Sequence, residues 1–260
     1  GLFKAFKKLH GYDLRAHLPA LFGEGNKEKM SRVKSDYRET LSYLIIEEHT
    51  VPWTEWANER GIKTINQAAE GIPAHPLDHW AASDQPENTG AFPRQLYSKL
   101  ASSAAHVTGK KVISQETSTW LYGHFQNSLA DIKDGEIDKI FLNGSNKIAY
   151  HSTSYSPREA EWPGWLFYAA THFEPTNTIW KDFPKLHNYV TRVSSFLQLG
   201  NPDNDILLYY PIYDMWHEEE GLPMDFPRIP DDLKTTKTAL RTQGFAFDYI
   251  SDQQIMNTAY

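Results

Sequence analysis

Cysteine is absent from the 260-residue sequence, which excludes disulfides, thiolate nucleophiles and cysteine-ligated zinc. No apolar run approaches the roughly 18 residues that a membrane-spanning helix needs, and Gly1 is followed by a charged amphipathic stretch rather than a signal peptide. A membrane is therefore not an expected partner. The glycine-rich dinucleotide fingerprint, the P-loop and the GxSxG elbow are also missing, so nucleotide-dependent and serine-hydrolase chemistry lack their motifs. Positive charge is in short supply. Against 33 Asp and Glu stand 26 Lys and Arg, a net charge of −7, and the basic residues are scattered apart from clusters such as Lys4, Lys7 and Lys8. That balance draws no phosphate backbone, and no nucleic-acid partner is expected.

Aromatic side chains, by contrast, are plentiful, with eight Trp and fourteen Tyr. Their flat faces and polar handles suit stacking on sugar rings, although most such residues in any protein serve the core. With 40% hydrophobic and 23% charged residues, the chain has the balance of a soluble globular protein able to bury a core.

Leu2, Phe3, Phe6 and Leu9 recur at helical spacing before Gly11, predicting a helix and then a second short one through residue 22. A long helix is expected from Lys29 to Glu59, stepped at Pro52 and ended by Gly61. A β-prone run, Ile62 to Ala68, precedes a loop rich in Gly, Pro, Asp and Asn. The same helix–strand–loop unit returns with a helix from Arg94 to Gly109 and a strand from Lys111 to Glu116. A third pass has a weak helix near Ser128 to Asp134 and a strand from Lys139 to Gly144, and Gly164 to Thr171 is a candidate fourth strand. Alternating helices and short apolar strands argue for a parallel sheet. Long polar loops after each strand favour part of a (β/α)8 TIM-type barrel, which needs about 250 residues to close. The expected fold class is thus α/β, with the C-terminal part of such a barrel over residues 1–199. Near Gly200 the pattern changes: a strand over Asp205–Pro211, a helix over Leu233–Gly244 and a strand over Phe245–Ile250 predict the start of a second α/β, flavodoxin-like domain over residues 200–260.

Polar residues at the carboxyl ends of barrel strands face the active-site mouth. Glu116 ends an apolar strand and is followed by Thr117, Ser118, Thr119 and Trp120, a polar mouth beside an aromatic platform. A carboxylate there can activate water or attack an anomeric carbon, although a helix-cap or ion-paired Glu fits the same composition. Glu70, Asn143, His151 and His172 with Glu174 are further candidate substrate contacts. The Ser83–Asn88 loop adds Asp84 and Glu87, which suit sugar hydroxyls, a calcium ion or simply a solvated turn. His75 and His79 lie four apart, but Pro76 between them argues against a zinc-binding helix.

The string Gly11-Tyr12-Asp13-Leu14-Arg15 with Leu18-Pro19-Ala20-Leu21 resembles a stretch of the family 106 α-L-rhamnosidases. The segments Asp36–Leu41, Trp56–Gly61, Asp84–Glu87, Ala101–Glu116, Pro163-Gly164, Asn177–Trp180 and Tyr189–Gly200 follow that family's order, so the resemblance covers most of residues 9–215. It implies a glycoside hydrolase that releases terminal α-L-rhamnose, or a related sugar, with inversion. Glu116 matches the general base and Glu87 a loop acid near the substrate, while the general acid belongs to a strand upstream of anything in this chain. The resemblance further implies a carbohydrate partner and a periplasmic or secreted bacterial enzyme. With half a barrel and one carboxylate, three readings stay open: a fragment of a longer enzyme, a chain completed by another, or a non-catalytic carbohydrate-binding remnant.

Overall fold

The computed structural model describes residues 1–68, 72–89, 95–217 and 231–257, apart from the side chains of residues 95–98. In chain order the elements are helices α1 (Leu2–His10), α2 (Leu18–Leu21), α3 (Lys27–Ile45) and α4 (Val51–Asn58), strand β1 (Ile65–Asn66), helix α5 (Pro76–Ala81) and strand β2 (Gln85–Asn88). There follow α6 (Gln95–Val107), β3 (Ser114–Thr117), α7 (Leu129–Ile132), α8 (Asp138–Leu142), β4 (Lys147–Tyr150) and α9 (Phe183–Leu199). The last are β5 (Ile206–Tyr209), α10 (Ile212–Trp216), α11 (Asp231–Thr242), β6 (Phe247–Ile250) and α12 (Asp252–Asn257). No helix among the described residues is long and apolar enough to cross a membrane.

The chain forms two compact units that do not follow chain order. One joins residues 1–84 to residues 203–260, and the other is the continuous segment 85–202. The first unit therefore gathers residues from both ends of the chain.

In the first unit, α1 ends at Gly11, whose φ of 78° is the left-handed conformation a helix C-cap favours. Asn26 caps α3, its side chain accepting the Lys29 N–H. Phe6, Leu14, Ala20, Leu21 and Val33 make one buried cluster. The step expected at Pro52 is a π-helical turn over Ile46–Thr50 that runs directly into α4, with Pro52 as the second residue of that helix. Strands β5 and β6 pair in parallel, and all four residues of β6 are buried. Arg38 on α3 reaches the Trp216 carbonyl at 2.6 Å across 178 residues of sequence.

In the second unit, β2, β3 and β4 form a parallel sheet with Glu87 opposite Ser114 and Glu116 opposite Ala149. Helix α6 connects β2 to β3 and buries Leu100, Ala101, Ala104 and Ala105. A helical run connects β3 to β4, opened by a Ser128–Asp131 capping box and continued through a π-turn over Lys133–Ile137. Ile132, Ile137, Phe173, Leu186 and Val190 form its core, with Ile148 and Tyr150 of β4 packed against them.

Three expectations are corrected here. Lys139–Gly144 is not a strand: α8 covers Asp138–Leu142, and the third strand of the sheet is Lys147–Tyr150. A short apolar run such as Ile140-Phe141-Leu142 carries no periodicity that separates helix from strand, and the capped helix upstream simply propagates through it. Residues 164–171 are turn and irregular backbone rather than a fourth strand. Glu87 lies in strand β2, not in a loop. Glu70 lies outside the described residues.

Candidate active site

Successive residues of a strand face opposite sides of the sheet. Ile148 and Tyr150 pack against the apolar cluster, so that side of the sheet is covered. Glu87, Ser114, Glu116 and Ala149 belong to the other side by register, and the Ser114 hydroxyl donates to Glu87 Oε2 at 2.5 Å. Parity alone thus puts two carboxylates on one face, with Glu116 closer to the carboxyl end.

Directly after β3 the chain reverses. Ser118 adopts a left-handed φ of 65°, a conformation uncommon outside glycine, and it is held from behind. Glu136 accepts the Ser118 N–H at 2.7 Å and its hydroxyl at 3.3 Å. Burial raises the Glu136 carboxyl above the usual range; the Ser118 bonds oppose this, and the negative charge of Glu116 adds to it. The reversal brings Thr119 back to donate to Glu116 Oε1 at 2.7 Å.

The same Glu116 oxygen lies 3.6 Å from His151 Nδ1, with the carboxylate side chain 19% and the imidazole 27% exposed. His151 Nδ1 is also 3.1 Å from the Ala169 carbonyl, which can only accept, so this nitrogen carries the proton. Phe167 meets the ring edge-on at 5.3 Å. The irregular segment after β4 is fixed to the strand end by Thr171 N–H donating to the Ser118 carbonyl. Exposed aromatics crowd these loops: Tyr122, Trp162, Trp165, Phe167 and Tyr168, with Phe125 stacked on Trp162 at 5.7 Å. The arrangement offers a partly exposed carboxylate, oriented by a hydroxyl and an imidazole, beside flat apolar surfaces.

Of the residues expected at the site, the structure brings together Glu116 and His151, and it puts Glu87 on the same face. His172 is buried at 2% exposure, with Nε2 2.8 Å from Thr176 Oγ1 and 3.6 Å from Glu174 Oε2. Asn143 does not share the mouth. It caps α8 on the amino-terminal side of β4, where its carbonyl accepts the Ser102 hydroxyl at 2.6 Å. Trp120 packs against the apolar cluster and is not an open platform. Sequence reasoning missed Phe167, although the exposed run Trp165–Tyr168 carried the hint, and it missed Glu136, whose role depends on a contact 18 residues away.

Both acids of the Ser83–Asn88 segment have protein partners. Asp84 is engaged by the Thr64 backbone and hydroxyl and by Lys63 Nζ at 3.0 Å, and Glu87 takes the Ser114 proton.

Two relatives place the chain. A solved rhamnosidase from Novosphingobium sp. PP1Y superposes with a TM-score of 0.74 at 24% identity, covering 98% of this chain and 24% of that one. A Formosa agariphila protein named as a beta-glucuronidase is 25% identical over 218 residues, covering 80% of this chain and 18% of that protein. The chain therefore spans a quarter or less of the length of these relatives. The sequence profile of the glycoside hydrolase family 106, described as alpha-L-rhamnosidase, matches residues 1–259. With the whole described structure inside that match, the chain belongs to the family 106 alpha-L-rhamnosidases.

Proposed function

We propose that this chain supplies the water-activating carboxylate of an inverting glycoside hydrolase that releases α-L-rhamnose or a related sugar. The reading rests on one observation above others: Glu116 stands partly exposed at the carboxyl end of a parallel strand, oriented by Thr119 and His151. General bases must lie within hydrogen-bonding reach of their water and be held in one rotamer, and both contacts serve that need. Glu87, on the same face, is suited to a sugar hydroxyl. Exposed rings of the loops after β3 and β4 are suited to stacking on a pyranose. The parallel β2–β3–β4 sheet fits a segment of a (β/α)8 barrel whose remaining strands, with the general acid, lie on residues outside this chain. An exported bacterial enzyme is the matching location.

Glu116→Gln in the intact protein tests this. The swap preserves shape and hydrogen bonding but removes the base, so turnover of an α-L-rhamnoside should fall about 10²- to 10⁴-fold with sugar binding retained. Turnover within a few-fold of wild type gives Glu116 a structural role. Wild-type protein that binds rhamnosides without hydrolysing them supports the carbohydrate-binding alternative, and activity on β-glucuronides alone changes the sugar.

A further inference from the structure

A second cluster of chemically capable side chains lies in the first unit. His10 closes α1, while Asp36 and Glu39 sit three apart, on one face of α3. Donor atoms of the three residues lie within 4.8 Å of one another, and all three side chains are partly exposed.

The hydrogen bonds around His10 settle its tautomer. The Thr40 hydroxyl is 2.7 Å from the Asp36 carbonyl, which has no proton to give, so Thr40 donates there. His10 Nε2, 3.0 Å from the same hydroxyl oxygen, must therefore be the donor in that contact. A neutral ring then turns the Nδ1 lone pair toward Asp36 Oδ1 at 3.6 Å, two acceptors face to face. Something positive is needed between them. A proton on Nδ1 spans that distance poorly, since N–H···O bonds run about 2.7 to 3.2 Å. Zinc–nitrogen and zinc–oxygen bonds of about 2.0 to 2.2 Å would bridge the 3.6 Å gap at an angle near 120°.

The surroundings fit the same ion. A metal-bound imidazole ordinarily donates its other N–H, and a metal-bound carboxylate ordinarily accepts a further hydrogen bond. Here His10 Nε2–H donates to Thr40, Tyr12 donates to the second Asp36 oxygen at 2.6 Å, and the Tyr213 hydroxyl lies 3.4 Å from Glu39 Oε1. Phe6 and Tyr12 pack on the imidazole, limiting water on its flanks. Donors in a tetrahedral zinc shell stand about 3.4 Å apart, so Glu39 has up to about 1.4 Å to close by rotating its own side chain.

We propose that His10, Asp36 and Glu39 bind one divalent cation of the zinc type, which clamps α1 to α3. One nitrogen and two carboxylate oxygens, with a water completing the shell, is a donor set that favours zinc over calcium or magnesium.

The intact protein, stripped with chelator and dialysed against micromolar zinc, gives the test. Wild type should retain one more zinc per chain than either Glu39→Gln or Asp36→Asn, and zinc should raise the unfolding midpoint of wild type by several degrees but not that of the variants. Cobalt uptake needs no variant: a site of low coordination containing a nitrogen ligand develops strong visible absorption, which zinc should quench. Equal zinc content in wild type and both variants, or no visible band with cobalt, overturns the proposal.

Discussion

Glu136 shows how much one buried carboxylate can be asked to hold. It accepts both donors of Ser118 at a left-handed backbone position, yet burial and the nearby Glu116 make its ionised form unfavourable. Glutamine keeps an acceptor for the Ser118 N–H and removes the buried charge; alanine leaves that N–H without its acceptor. In urea unfolding, Glu136→Gln should be at least as stable as wild type, and Glu136→Ala less stable by about 1–3 kcal/mol. The reverse order would mean that the charge itself is required. Two histidines give a pH dependence of calculable sign. Burial lowers His75 and pushes His79 down to about 4, while in the unfolded chain both titrate near their ordinary value. Between pH 6.5 and 4 the unfolded state binds more protons, so stability falls as pH falls, by up to about 1.4 kcal/mol per pH unit for each histidine. Melting midpoints measured from pH 7 to 5 should drop, with a shallower slope in His79→Gln; a flat profile contradicts the burial of these rings.

Among the elements, the join of α8 to β4 is the most demanding. Gly144 has φ +96°, and a Cβ there would stand 2.9 Å from Ser102 Cβ and 3.2 Å from His106 Cε1. Gly144→Ala therefore meets both backbone strain and a clash with α6. A loss of more than about 1 kcal/mol is expected, read as a lower urea midpoint; an unchanged midpoint would show that α6 yields freely. This join is also where the sequence was hardest to read. Glu116 was legible because β-branched Val112 and Ile113 lead into it and polar residues follow. Asn143 was misplaced because Ile140-Phe141-Leu142 fits a strand as well as a buried helical turn, and only the upstream Ser128 cap decides between them. His151 follows β4, a strand that Lys147-Ile148-Ala149-Tyr150 signals weakly, so its approach to Glu116 depended on parallel register, which no local pattern encodes. The pairing of His10 with Asp36 was invisible for the same reason: the two residues belong to different helices.

For the molecule as a whole, the unit that holds Glu116 is one uninterrupted stretch, while the other is assembled from residues 1–84 and 203–260. Arg38 waits for the Trp216 carbonyl and Asp78 for the Ser251 hydroxyl, partners 178 and 173 residues later. On a ribosome, where the chain emerges from its N-terminus at about 5–20 residues per second, the segment that holds Glu116 is complete before its neighbour's second half exists. Helix α3 must spend that interval, roughly 6 to 24 seconds, without the Trp216 carbonyl that takes Arg38, and His75, just before α5, without the Tyr210 and Trp216 rings that pack on it. Such an interval leaves apolar surface of residues 1–84 open to chaperones and to other nascent chains until residues 203–260 arrive.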